Sequence, residues 1–143
     1  MNDKNPELKK EAWGWLKHTQ TVHLATWDGE HPRVRPVSMI FDEERFWVST
    51  GCSDAKMDQI EQYPVFEFSL LLENDEGAGT LRCTGTTRIV TDLETKSMMA
   101  ERIPFFSQFW DSPEEDSYCL IELMVERAEF MRPGEMYGTN FSV

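Results

Sequence analysis

Basic residues are scarce in this chain. Lys and Arg together number 14 against 26 Asp and Glu in 143 residues, a formal charge of −12. A surface of that sign repels phosphate backbones at long range, which argues against a nucleic-acid partner. It leaves room for one anionic ligand, because a few cations in a pocket outweigh carboxylates beyond a screening length. Cysteine is scarce too: Cys52, Cys83 and Cys119 are odd in number and widely spaced. With no CxxC pair and no Cys/His cluster, the spacing predicts neither a disulfide framework nor a structural zinc site. His18, His23 and His31 have no metal-like spacing either. No apolar run approaches membrane-spanning length, and the opening MNDKNPELKK has no apolar segment of the signal-peptide kind. The expectation is a cytoplasmic protein with no membrane partner. Repeats, low-complexity tracts and linkers are also missing, so the chain reads as one domain over residues 1–143.

A hydrophobic share of 40% and an aromatic share of 12% supply a core, and disorder is a poor reading. Asn5-Pro6 has the form of a helix opening, and Leu8, Ala12, Trp13 and Leu16 recur at helical steps, predicting a helix over 6–19. The period then changes to two. Strands are predicted at 21–27, 33–41 and 45–50, with Asp28-Gly29 as a hairpin turn. Pro32 and Pro36 cannot donate to a ladder, so the second strand lies at an edge or carries a bulge. Met57 and Ile60 mark a helix over 54–63 that Pro64 stops. Strands follow at 65–72 and 80–90. Thr91 with Glu94 has the form of a capping box for a helix ending near Pro104. An aromatic loop spans 105–113, a long last strand 118–131, and a tail begins at Arg132. Six strands in hairpin order with three helices predict an α+β fold built on an antiparallel barrel.

The best candidate site lies between Arg33 and Lys56. Arg33 and Arg35 leave one face of a strand together, and two neighbouring guanidinium groups need an anion or water between them. An exposed face with acidic neighbours explains Arg33 equally well. Ser49, Thr50 and Ser53 bring hydroxyls to a strand end and to the loop that enters a helix, and Lys56 lies in that helix's first turn. Hydroxyls, free N–H groups and an ammonium make a phosphate cradle, although Asp54 competes for the same helix start. The alternative is plain capping by Ser53 or Asp54 with Lys56 in solvent. Cys52 reads as an unreactive thiol, and Gly77-Ala78-Gly79 lacks the third glycine of a dinucleotide fingerprint.

The run HPRVRPVSMIFDEERFWVSTGCSDAKMDQIEQYP resembles the FMN-binding split-barrel family typified by pyridoxamine 5'-phosphate oxidase and its short general-stress-protein relatives. The matching stretches are ATWDGEHPRVRPV, VSTG, SDAK and QYP, and GTTRIVTD and YCLIELMVERAEFM resemble later strands of the family. The resemblance implies a six-stranded antiparallel split β-barrel of Greek-key type with flanking helices, FMN as cofactor, and a homodimer with the site at the subunit interface. It implies that Arg35 and Lys56 hold the FMN phosphate, that Ser49, Thr50 and Ser53 bond phosphate or ribityl oxygens, and that the backbone of Pro36, Val37 and Ser38 runs beside the ring. Trp110 would lie against the flavin from the partner chain, or else pack in a core or dimer interface. Ala55 replaces an Arg that the oxidase proper carries before its Lys, and MRPGEMYGTNFSV lacks the oxidase's substrate-binding Arg and His pattern. The implied activity is therefore an FMN-dependent oxidoreductase acting on some other small molecule. The alternatives are a flavin carrier without a substrate, the same barrel holding haem or a deazaflavin, and a dimer without cofactor.

Overall fold

A computed structural model describes residues 3–143. The elements follow in the order α1 (Pro6–Trp13), β1 (Thr19–Trp27), β2 (Pro32–Asp42), β3 (Arg45–Gly51), α2 (Ala55–Gln62), β4 (Val65–Asn74), β5 (Gly77–Val90), α3 (Leu93–Arg102), a 3-10 turn (Phe106–Gln108), β6 (Tyr118–Met131) and β7 (Thr139–Ser142). In α1 the Asn5 side chain accepts the Leu8 N–H at 3.1 Å, and Pro6 fills the first turn. The helix ends at Trp13 rather than continuing to Thr19, because Gly14 is a poor helix former and the chain turns there toward β1. In α3 the cap is Asp92, which accepts the Thr95 N–H at 2.9 Å, not Thr91 one step earlier. Asp outranks Thr at that position.

The sheet order is β3-β2-β1-β4-β5-β6-β7, and a further β3–β6 pairing closes six strands into an antiparallel barrel. β4 and β5 form a hairpin, β6 returns beside β5 after α3 and the 3-10 turn, and β3 lies beside β6, a Greek-key arrangement. The closure is incomplete. β2 pairs with β1 over its whole length, from Thr19↔Ile40 to Trp27↔Pro32, but with β3 only from Met39 to Asp42. Pro32 to Ser38 therefore form an open edge, as the two prolines require, with no bulge in the β1–β2 register. The bulge sits elsewhere, between Thr84 and Gly85, where a Cβ on Gly85 would collide with the Met124 carbonyl.

Side-chain alternation sorts the strands into two cores. Val22, Leu24, Met39, Phe46, Val48, Phe68, Leu81 and Ile121 fill the barrel, together with Leu8, Ala12 and Trp13 of α1 and Met57 and Ile60 of α2. Trp13 meets Phe46 edge-on at 5.6 Å, so α1 closes the Phe46 end while α2 closes the Thr26 end. The second core lies outside, where Ile40, Trp47, Val90 and Leu120 are covered by Met99 and Ile103 and by the aromatic segment. Beside it, the buried Glu122 accepts Arg45 at 2.7 and 2.9 Å and Arg88 at 2.8 and 3.0 Å.

Two expectations are corrected. The segment after Arg132 is not a tail: Thr139–Ser142 form β7, paired with Arg127–Phe130 of β6, and Phe141 is buried in the barrel core. Cysteine spacing was also a poor guide. Cys52 and Cys119, 67 residues apart in sequence, form a disulfide with Cα atoms at 5.1 Å. The β3–β6 register, which sets Cys119 opposite Thr50, brings them together, and sequence separation carries no trace of it. Cys83 remains a free thiol inside the barrel. Among the described residues, no helix is long and apolar enough to cross a membrane.

Candidate functional site

The α2 end of the barrel collects polar groups where the rest of its lining is apolar. Along β1 the inward positions run Val22, Leu24, Thr26, and along β2 they run Arg35, Val37, Met39. The last inward position of β1 is thus a hydroxyl, and Arg35, opposite Leu24 in the β1–β2 register, brings a guanidinium to it. Arg35 donates from Nη1 to Thr26 Oγ1 at 2.8 Å and to the Leu24 carbonyl at 3.3 Å, and from Nη2 to Gln59 Oε1 at 2.8 Å. Thr26 Oγ1 also donates to Gln59 Oε1. Burial lowers the Arg35 pKa and the Asp54 charge opposes that, but a guanidinium stays protonated at any physiological pH.

One turn of α2, from Gln59 back to Lys56, links this group to a second cation. Lys56 is only 5% exposed, and its ammonium donates to Thr50 Oγ1 at 2.6 Å and pairs with Asp54 Oδ1 at 3.0 Å. The same carboxylate accepts the Lys56 backbone N–H at 3.0 Å as the N-cap of α2. That N–H above all, then the ammonium and the charge of Arg35, hold the Asp54 carboxyl below its ordinary range against partial burial. Asp54 is therefore an anion at a helix start, paired with the Lys56 ammonium and within the field of Arg35. The cap is Asp54, as the plain-capping alternative had it, but Lys56 is buried rather than in solvent.

Other candidates separate. Arg33 faces Asp28, its Nε 2.7 Å from Oδ2. Asp28 in turn accepts the His31 and Glu30 N–H groups across the hairpin, at 2.7 and 2.8 Å, and these bonds with Arg33 push its carboxyl far down. Gly29 supplies the positive φ of 102° that this turn needs. Arg33, Arg35, Ala55 and Gln59, with Asp28 and Pro32, line an open cleft of about 640 Å³ along the free edge of β2. Pro36 and Ser38 are exposed on that edge, and Val37 turns into the barrel. Ser53 is exposed in the loop before α2. Ser49 points to the opposite face of β3 from Thr50, and its Oγ is buried without a hydrogen-bond partner. Trp110 is 7% exposed and lies in the second core, 5.2 Å from the Phe106 ring and 5.0 Å from that of Tyr118. Its contacts are those of core packing within one chain.

Thr26 and Gln59 were missed in the sequence reading, although each left a signal. Thr26 is a polar residue at an inward position of an apolar strand face, and Gln59 follows Lys56 by one helical turn.

A family model described as pyridoxamine 5'-phosphate oxidase matches residues 8–132. The chain belongs to the pyridoxamine 5'-phosphate oxidase family. The match runs from α1 through the whole barrel and stops before β7. Members and neighbours of the pyridoxamine 5'-phosphate oxidase family recur among solved structures of like fold. A NimC/NimA family protein from Clostridium acetobutylicum superposes with a TM-score of 0.76 at 23% identity, covering 94% of this chain and 91% of that one. General stress protein 26 from Bacillus anthracis gives 0.69 at 18% identity, over 96% and 99% of the two chains. A haem storage protein from Vibrio cholerae gives 0.65 at 17% identity, over 94% and 98%. Identities this low establish the shared barrel alone. No curated protein matches the chain by sequence.

Proposed function

We propose that this protein is an FMN-binding flavoprotein, working as an oxidoreductase on a small molecule other than pyridoxamine 5'-phosphate. The observation that carries the reading is the cradle at the head of α2. Asp54 engages an N–H, a buried ammonium and the field of a guanidinium. These donors suit a phosphomonoester, which offers three oxygens and about two charges to the same groups. The residues therefore fit the phosphate end of FMN, with Lys56 and Arg35 as its cations, the Thr50 hydroxyl at the end of β3 and the exposed Ser53 hydroxyl in the loop that follows. The adjoining cleft, about 640 Å³, falls in the size range of cofactor sites. Bound flavin would supply the hydride or electron chemistry. The chain's own task is to grip the phosphate and to hold the ring along the backbone of Pro36, Val37 and Ser38.

The reading includes a cytoplasmic homodimer with the cleft at the subunit seam, since the free edge of β2 leaves one wall of the cleft open. Haem is the weaker ligand. His18 bonds the Arg102 carbonyl at 2.7 Å, His23 and His31 are exposed, and none of the three lines the cleft.

Titration of the purified protein with FMN tests the reading. Lys56→Ala and Arg35→Ala should each weaken binding by about ten- to a hundredfold, the worth of one charge-assisted contact. Unchanged titration curves for both variants, or no uptake of FMN by the parent protein, would remove the assignment.

A further inference from the structure

The Cys52–Cys119 bond is attached to the cradle at two points. Cys119 lies opposite Thr50 in the β3–β6 ladder, and Thr50 receives the Lys56 ammonium. Cys52 sits in the turn Gly51–Asp54, where the Asp54 N–H donates to the Gly51 carbonyl at 3.1 Å and the Cys52 N–H donates to the Ser117 carbonyl at 3.0 Å. The bond thus ties the start of α2, with Asp54 and Lys56 on it, to the first turns of β6.

It is also open to reagents. Cys52 and Cys119 are both half-buried, and both line a cleft of about 440 Å³ between α3 and the segment leading into β6. Lys96 of α3 borders this cleft, its ammonium 4.9 Å from the centre of the Tyr118 ring. A cation there favours a thiolate leaving group. Glu114, Glu115 and Asp116 form the rim and disfavour the approach of anionic reagents. The third cysteine has none of these features: Cys83 is fully buried, and burial pushes its thiol far up.

We propose that Cys52–Cys119 is a thiol-exchange site, open to small neutral or cationic thiols, whose state controls the anion cradle at the head of α2. A thiolate attacks one sulfur, the S–S bond breaks, and the other cysteine leaves with the bonding pair and takes up a proton. A second thiol displaces the first as a small disulfide. Two small thiols are oxidised and the protein disulfide becomes two thiols, so atoms and electrons balance. Released from β6, the Gly51–Asp54 turn no longer holds Asp54 and Lys56 in register. The effect on FMN rests on the proposed function, whereas the exchange and the loosening of α2 do not.

The folded protein is incubated with cysteamine or with mercaptosuccinate, alkylated, and mapped by mass spectrometry. Amide hydrogen exchange over 52–62 and FMN affinity are followed in both redox states and in the Cys52→Ser/Cys119→Ser double variant. The expected result is labelling at Cys52 and Cys119 but not Cys83, faster with cysteamine than with mercaptosuccinate, by a margin that shrinks as salt rises. Amides of 52–62 should exchange faster after reduction, and the FMN dissociation constant should rise about tenfold, the loss of one charged contact, with the double variant behaving likewise. If Cys52 and Cys119 label only in denaturant, or are already free thiols before reduction, the exchange site is overturned. Labelling without change in amide exchange or FMN affinity overturns the control of the cradle. If reduction loosens 52–62 but FMN binds in neither state, the clamp stands and the flavin reading fails.

Discussion

The two ends of the barrel are closed by helices of equal length, α1 by apolar packing and α2 by Met57 and Ile60 together with a set of polar bonds. At one end α1 lays Trp13 against Phe46 and Phe141, with the Phe41 ring tilted against Phe46 at 5.0 Å. At the other, α2 is joined to the strands through Arg35, Thr26 and Gln59 and through Lys56 and Thr50. Aromatic closure is cheap, because the groups it buries gain from leaving water. Polar closure is not, since a buried ammonium must be compensated by well-placed partners. A fold that needed only a lid would repeat the first solution. The second places two cations, Arg35 and Lys56, at one end of the barrel.

Substitutions at the two ends should therefore separate stability from binding. The largest effect is expected from Trp13→Ala, a loss of about 3–5 kcal/mol by cavity formation. Chemical denaturation should report it, while whatever folded protein remains keeps its FMN affinity. Lys56→Met, in contrast, replaces a buried charge with an apolar side chain of similar length and should change stability by about 1 kcal/mol or less in either direction. It should still lose FMN as Lys56→Ala does. Equal stability losses for the two variants would erase the distinction between the ends.

A charged cluster away from both ends sharpens the point. Burial works to raise the Glu122 carboxyl, but hydrogen bonds from Arg45 and Arg88 outweigh it and hold the group below its ordinary 4.5. A carboxyl depressed in the folded state contributes stability that is complete above its unfolded pKa and is lost as pH falls through the folded one. The parent protein should therefore lose stability below pH 4.5 more steeply than Glu122→Gln, with no such difference near neutrality. Thermal melts from neutral to acid pH read this directly, and parallel profiles would deny Glu122 the role. The smallest effect belongs to Arg33→Ala. Its partner Asp28 is already held by two backbone N–H groups, and an exposed pair is worth about 1 kcal/mol or less. Stability should barely move, and FMN affinity should fall by less than in Arg35→Ala.

Much of this architecture was legible in the sequence because local patterns govern it. Period-two alternation marked the first strands, an apolar run and its return marked 65–72 and 80–90, Asp28-Gly29 marked the first hairpin, and Pro32 with Pro36 pointed to an edge or a bulge, of which the structure shows the edge. The pair Arg35 and Lys56 could be proposed because each follows a recognisable strand or helix boundary; in the structure Arg35 bonds Thr26 and Gln59 while Lys56 bonds Thr50 and Asp54. What stayed hidden depends on register between distant strands. Cys119 meets Cys52 only through the β3–β6 ladder, and β7 buries a single aromatic, Phe141, in four residues, too few for a periodic signal. Ser49 and Thr50 look equivalent in sequence, yet adjacent positions on a strand face opposite ways, so only Thr50 reaches Lys56. Trp110 could be placed in either environment until the second core was seen to enclose it.

The open stretch of β2 has a consequence for how molecules of this protein meet. An uncovered strand normally offers a docking rail for another chain, and rows of such rails polymerise. Here Pro32 and Pro36 interrupt the row of amide hydrogens at alternate positions, so a foreign strand finds too few donors to zip against. Whatever rests along this border must do so by side-chain packing or as a flat ring, and the protein keeps an accessible flank without inviting fibrils.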